Sequence, residues 1–220
     1  MPDFKGHIAI EGPIGVGKTT LARMLSERLE ARLILENPEN NPFLEDFYKD
    51  RRKHAFQTQI FFLMSRYAQQ EQFVQDDLFA SCAVSDYLFS KDELFARLNL
   101  SDDEYLLYER VTETLKKNIA VPDLVIYLSA SVDTLAQRIK RRNRSYEKGI
   151  EKSYLKELCE IYSDYFFNYS DSPLLVVGTD NIDFAENLDE LNYVIERIGK
   201  ITDGTEFISF DNVTPGFWGR

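Results

Sequence analysis

The chain has 220 residues, 44% hydrophobic and 29% charged, which suits one globular α/β domain able to bury a sizeable core. A net charge of −11 and a pI near 4.8 argue against a nucleic-acid backbone as the main partner, because neutralising phosphates takes a basic surface. Two cysteines, Cys82 and Cys159, are too few for a disulfide framework and read as buried thiols; with no leader-like N-terminus and no apolar run near the roughly 18 residues of a membrane span, a cytoplasmic protein without membrane contact is expected.

Five short apolar runs, residues 7–11, 32–36, 82–86, 124–128 and 174–178, read as strands separated by long amphipathic segments. That alternation implies crossover connections and a five-stranded parallel sheet flanked by helices, with ligands bound beyond the carboxyl ends of the strands. Three of the runs end in an acid, Glu11, Glu36 and Asp86, each expected to point toward that cleft.

Directly after the first run, Gly12, Pro13, Ile14, Gly15, Val16, Gly17, Lys18 and Thr19 match the phosphate-loop pattern GxxxxGK[ST], and Thr20 continues into an amphipathic helix. Glycines let main-chain N–H groups approach phosphates, and the helix N-terminus adds partial positive charge. In this motif Lys18 reaches the β- and γ-phosphates of ATP and Thr19 places its hydroxyl on Mg²⁺. The Asn-Lys-x-Asp guanine signature is missing after the fourth run, which favours a small-molecule kinase over a GTPase.

Over residues 54–72 a helix places Gln59 and Arg66 seven positions apart, back on nearly the same face at about 100° per residue. An amide and a guanidinium with Phe62 and Leu63 between them can hydrogen-bond the edge of a base; alone, the pattern is more often a polar helix face. Further on, Arg138, Lys140, Arg141, Arg142 and Arg144 put five cations within seven positions of an acidic chain. After Gly199 the helical periodicity stops and Gly, Pro and aromatics follow; residues 1–202 read as the domain and 203–220 as a tail of unknown role.

Taken in order, EGPIGVGKTT, ENPENNPFLEDFYKD, FQTQIFFLMSRY and VSDYLFSKD resemble the deoxynucleoside kinases, particularly the bacterial deoxyadenosine and deoxyguanosine kinases, over about residues 5–200. The resemblance implies a P-loop kinase fold and ATP- and Mg²⁺-dependent transfer of a γ-phosphate to the 5′-hydroxyl of a deoxynucleoside, with a purine preferred and deoxyadenosine ahead of deoxyguanosine. It implies that Glu36 contacts that hydroxyl and acts as general base, that Tyr48 and Glu147 reach the sugar 3′-hydroxyl, and that Gln59, Arg66 and Asp92 read the base. The basic segment is similar to the family's arginine-rich lid, about residues 138–150, in which Arg138, Arg142 and Arg144 steady the transferring group. The loop after the fifth strand, TDNIDF, is placed like the family's adenine-side loop. A homodimer is expected on the same ground.

One departure stands out. Many relatives carry Asp-Arg-Ser or Glu-Arg-Ser at the end of the third strand, whereas this chain has Asp86, Tyr87 and Leu88. Asp86 can still serve Mg²⁺ or share base duty with Glu36; which cation steadies the 5′-oxygen is left open, with the lid arginines as candidates. Two other readings remain, a nucleoside monophosphate kinase and a catalytically silent nucleotide-binding regulator. The former needs a second cationic clamp at the acceptor, and retention of Lys18, Thr19, Glu36 and Asp86 argues against the latter.

Overall fold

A computed structural model describes residues 4–76, 82–115, 119–186 and 188–210. In chain order the elements are β1 (Gly6–Glu11), α1 (Lys18–Leu29), β2 (Arg32–Ile34), α2 (Leu44–Lys49), α3 (Arg51–Asp76), β3 (Cys82–Ser85), α4 (Lys91–Asn99), α5 (Asp102–Leu115), β4 (Leu124–Ser129), α6 (Val132–Arg142), α7 (Lys152–Phe167), β5 (Leu174–Gly178), α8 (Leu188–Ile198) and β6 (Thr205–Ile208). The strands lie side by side as β2-β3-β1-β4-β5-β6, every pair parallel. Chain following β1 crosses to β2 on one side, while β4, β5 and β6 extend the sheet on the other, so the carboxyl ends around β1 open a crevice.

The sheet therefore has six strands, not the five read from the apolar runs. The sixth lies in the segment read as a tail and pairs with β5 from Leu174↔Thr205 to Val177↔Ile208. An edge strand needs only one covered face: Ile208 is buried and Phe207 is 72% exposed, so the segment lacks the apolar run that marks a central strand. Residues 211–220 of that expected tail lie outside the described residues. Strand β2 is also shorter than its run, and the chain leaves the sheet before Leu35 and Glu36.

Alternation along the strands feeds both faces. Ile8, Ile10, Ile126 and Leu128 pack against Leu21 and Leu25 of α1, Leu135 and Ile139 of α6, and Leu191 and Val194 of α8. Ala9, Val125 and Tyr127 face the other way onto Leu94 of α4 and Leu158, Tyr162 and Phe166 of α7, with the rings of Tyr127 and Phe166 stacked at 4.2 Å between centroids. Burying each large apolar side chain contributes about 1.5–3 kcal/mol, and this double cover holds the strand ends still. Cys82 is buried as expected, whereas Cys159 of α7, packed at the margin of the core, is half-buried.

Candidate active site

The turn between β1 and α1 is built on glycine. Gly12 has φ 151° and Gly15 φ 88°; a Cβ at Gly12 would lie 2.3 Å from the Leu128 carbonyl oxygen, and one at Gly15 2.8 Å from Ile139 Cγ1, so only glycine fits either position. Helix α1 begins at Lys18 with its first N–H groups facing the loop. Lys18 Nζ donates to the carbonyls of Gly12 (2.5 Å) and Pro13 (3.2 Å). Burial pulls its pKa down to about 8, against the opposing pull of Glu11.

Glu11 does not face the crevice as expected. It is fully buried, accepting hydrogen bonds from Gly12 N–H (2.8 Å) and the Tyr162 hydroxyl (2.9 Å) on Oε1 and from Leu88 N–H (2.8 Å) on Oε2. It lies 4.0 Å from Lys18 Nζ. The carboxylate thus ties the loop floor to α7 and to the chain after β3.

Glu36 and Asp86 do line the crevice. Asp86 Oδ2 accepts from Thr19 Oγ1 (2.6 Å) and Oδ1 from the Glu36 N–H (2.7 Å); burial raises its pKa against those bonds. The Glu36 carboxylate is gripped on Oε1 by Arg66, Nη2 at 2.6 Å and Nε at 2.8 Å, and on Oε2 by Lys91 Nζ at 2.8 Å. Burial pushes the Glu36 pKa up, but Arg66 and Lys91 outweigh it and hold it well below the usual carboxylate range. Arg66 Nη1 pairs with Asp92 Oδ1, and Gln59 Nε2 donates to the Asp92 carbonyl at 2.8 Å. Gln59 and Arg66 do share one face of α3, and the Phe62 ring centroid sits 4.9 Å from the Arg66 guanidinium carbon. Asp92 stands behind both residues rather than on the cavity wall.

The lid folds down at the opposite rim. A 3₁₀ turn over Ser145–Gly149 packs on α2 so closely that a Cβ at Gly149 would lie 2.8 Å from the Tyr48 carbonyl. Arg142 holds Glu147 through two hydrogen bonds, Nη2 at 2.5 Å and Nε at 3.1 Å, and Arg144 donates to the Tyr146 hydroxyl at 2.8 Å. Tyr48, Glu147, Arg142 and Arg144 all line the same cavity of about 460 Å³ as Lys18, Glu36, Gln59, Arg66 and Asp86. Burial pushes the Tyr48 hydroxyl well above its ordinary pKa, which keeps it a neutral hydrogen-bonding group.

Arg138 is not brought to that cavity. Its guanidinium donates to Val16 O (3.2 Å), Thr179 Oγ1 (3.0 Å), Thr179 O (2.5 Å) and Ile182 O (2.7 Å), stapling the phosphate loop to the loop after β5. It lines a separate cavity of about 250 Å³ with Thr20 and Phe184, beside the TDNIDF segment. Lys91, which was not among the candidates, does line the main cavity. Its one sequence signal is a cation at the first residue of α4, where the positive end of a helix disfavours it.

Two hard oxygens, from Thr19 and Asp86, fit Mg²⁺, which takes few protein ligands and keeps water and phosphate for the rest. Among the described residues no group of three or more His, Cys, Asp or Glu side chains converges as a metal site.

Comparison with known proteins agrees with this fold. The sequence profile described as deoxynucleoside kinase matches residues 8–203. A deoxyguanosine kinase of Bacillus subtilis (strain 168) is 35% identical over 201 residues, covering 88% of this chain and 96% of the relative. A deoxyadenosine kinase of Lactobacillus acidophilus is 31% identical over 205 residues, 87% of this chain and 94% of the relative. Among solved structures, deoxyadenosine kinase from M. mycoides with bound dATP superposes with a TM-score of 0.76 at 28% identity, over 88% of this chain and 100% of that chain.

Proposed function

Since the chain belongs to the deoxynucleoside kinase family and phosphorylates deoxynucleosides with ATP, we propose that its preferred acceptor is a purine deoxynucleoside, deoxyadenosine ahead of deoxyguanosine. The observation that carries this reading is the fixed amide of Gln59. With one N–H committed to the Asp92 carbonyl, the amide offers Oε1 as acceptor and its second N–H as donor, a pair that matches the exocyclic amine and adjacent ring nitrogen of adenine and equally of cytosine. Deoxycytidine is therefore the main pyrimidine competitor, and the likeness to deoxyguanosine and deoxyadenosine kinases favours the purine. Arg66 supplies donors to ring nitrogen or to the guanine carbonyl, and Asp92 fixes both residues. Thymine lacks the amine, and a site with a buried acceptor rejects a partner without the matching donor by several kcal/mol.

In this reading the sugar lies between Tyr48 and Glu147 on one side and Glu36 on the other. The 5′-hydroxyl donates its proton to Glu36 while its oxygen attacks the γ-phosphorus, and Arg142 and Arg144 of the lid stabilise the charge that develops on the transferring group. A base drawn onto Arg66 takes that guanidinium from Glu36 and restores basicity to the carboxylate. Gly12 to Thr20 cradle the triphosphate, with Lys18 on its terminal phosphates. Thr19 and Asp86 would hold Mg²⁺, which would supply positive charge against the phosphate oxygens. At the acceptor end of the cavity Arg66 and Lys91 are both neutralised by Glu36 and Asp92, which argues against an acceptor already bearing a phosphate.

The protein then acts in purine salvage in the cytoplasm, without nucleic-acid or membrane partners; among the described residues no helix is long and apolar enough to cross a membrane. It works as a homodimer: Met64 of α3 and Leu106 and Leu107 of α5, about half exposed on adjacent helices, are apolar surface that a second copy would cover. The acceptor test is kcat/KM for the four natural deoxynucleosides in the wild type and in Asp92→Asn. Deoxyadenosine should lead and the variant should narrow its margin; a thymidine preference, or unchanged base selection in the variant, overturns this pocket.

A further inference from the structure

We infer that Lys91 is a catalytic residue of this enzyme, the cation whose ammonium contacts the acceptor 5′-oxygen as it bonds to phosphorus. The inference rests on the reading of Glu36 as the acceptor carboxylate and goes beyond it by filling the place where no arginine follows Asp86.

Its position is costly in two independent ways. Lys91 is the first residue of α4, where the helix dipole is positive and a cation is disfavoured. It is also 3% exposed, and burying an ammonium is unfavourable unless a partner compensates. A lysine that only needed a structural role would snorkel to solvent from this helix end; here the whole side chain turns inward, over the Tyr87 ring at 5.9 Å, to place Nζ 2.8 Å from Glu36 Oε2.

The surroundings are those of the reaction centre. Lys91 lines the cavity that Glu36, Asp86, Lys18 and Thr19 also line, and its charge is felt at both Asp86 and Lys18. The lid arginines serve other places: Arg142 and Arg144 enter the cavity from the opposite rim, held by Glu147 and Tyr146 beside the transferring group, and Arg138 is bound to main-chain carbonyls beyond the phosphate loop. A hydroxyl approaching Glu36 meets Lys91 on the same carboxylate. An ammonium has three donors, so Lys91 can keep its bond to Glu36 and direct another N–H at the 5′-oxygen.

The step balances simply. The 5′-O–H proton passes to Glu36, the oxygen forms its bond to the γ-phosphorus, the bond from that phosphorus to the β–γ bridging oxygen breaks, and ADP leaves with the electron pair. Lys91 stays protonated throughout and stabilises the oxygen while it carries excess charge.

The experiment compares Lys91→Met, Lys91→Arg and Lys91→Ala with Glu36→Gln, using deoxyadenosine and ATP. Lys91→Met should lose about a hundredfold or more in kcat with deoxyadenosine affinity, measured by equilibrium dialysis, nearly unchanged. Lys91→Arg keeps the charge and should fall between it and the wild type. Ethylammonium should restore turnover to Lys91→Ala saturably, a readout that no purely structural role produces and that reports on whatever fraction is folded. Losing one of the two cations on Glu36 should also move the acid limb of kcat/KM to higher pH. Near-wild-type kcat in Lys91→Met beside a crippled Glu36→Gln overturns the role of Lys91 alone, as does a Lys91→Ala deficit that ethylammonium leaves untouched. Full activity in both Lys91→Met and Glu36→Gln overturns the acceptor site itself.

Discussion

Thr19 Oγ1 donates a 2.6 Å hydrogen bond to Asp86 Oδ2, joining the start of α1 to the end of β3. The two carboxylates at this junction sit in opposite environments. Glu36 is clamped by two cations that keep it ionised, whereas burial raises the pKa of Asp86. Division of labour follows from that difference, with Asp86 suited to share a metal ion with Thr19 and Glu36 suited to meet a hydroxyl.

Glu36→Gln should therefore cost about a hundredfold or more in kcat while sparing nucleoside affinity, since an amide still hydrogen-bonds the 5′-hydroxyl but takes no proton. Asp86→Asn should chiefly raise the Mg²⁺ concentration needed for half-maximal rate. Steady-state kinetics over an Mg²⁺ titration separates them, and a larger kcat deficit in Asp86→Asn at saturating Mg²⁺ would hand the base role to Asp86.

Lys18→Ala should abolish transfer and leave the fold intact. The ammonium hydrogen-bonds loop carbonyls and lies 4.0 Å from Glu11, a carboxylate that three other donors hold in place, and the turn itself is set by Gly12 and Gly15, which no side chain could replace. Circular dichroism and deoxynucleoside binding should match the wild type. Substantial kinase activity in a folded Lys18→Ala protein would refute the phosphate site.

A pH dependence follows from the same lysine. Burial lowers its pKa to about 8 in the free protein, and only the protonated form attracts phosphate, so kcat/KM for ATP should fall as pH rises through about 8. Bound phosphate favours the charged form and raises the pKa, so kcat should hold steady through that range. Initial rates between pH 7 and 10, at low and at saturating ATP, check the split.

Much of this was legible in the sequence because the signals were local or periodic. The phosphate loop announces itself by residue type at fixed spacing, and the helical period alone brought Gln59 and Arg66 onto one face. What escaped depends on a single covered face or on the path of one side chain. Strand β6 lacks the apolar run of a central strand, and Glu11 looks in sequence like Glu36 yet turns into the core because Tyr162 and Leu88 await it there. Arg138 and Arg142 are one helical turn apart on α6, but the first reaches the loop after β5 and the second the lid. A run of cations does not say which way each will point.

Glu11 provides the last test. Its two oxygens accept from Gly12 N–H, Leu88 N–H and the Tyr162 hydroxyl, three donors that converge on a group with no exposure at all. Glu11→Gln keeps the shape but replaces one oxygen with an NH₂ that must face a donor, leaving a buried group unsatisfied at about 1–3 kcal/mol; for a chain of this size each kcal/mol lowers Tm by roughly 2–4 °C. The substitution also removes the negative charge 4.0 Å from Lys18 Nζ, a charge that props up the lysine pKa. The variant should thus melt several degrees lower, and its loss of kcat/KM for ATP should begin at a more acidic pH than in the wild type. The second effect is the telling one, because a loop loosened by destabilisation weakens ATP binding at every pH without moving the midpoint. A lowered Tm with an unmoved midpoint would make Glu11 a structural anchor that leaves the charge of Lys18 untouched.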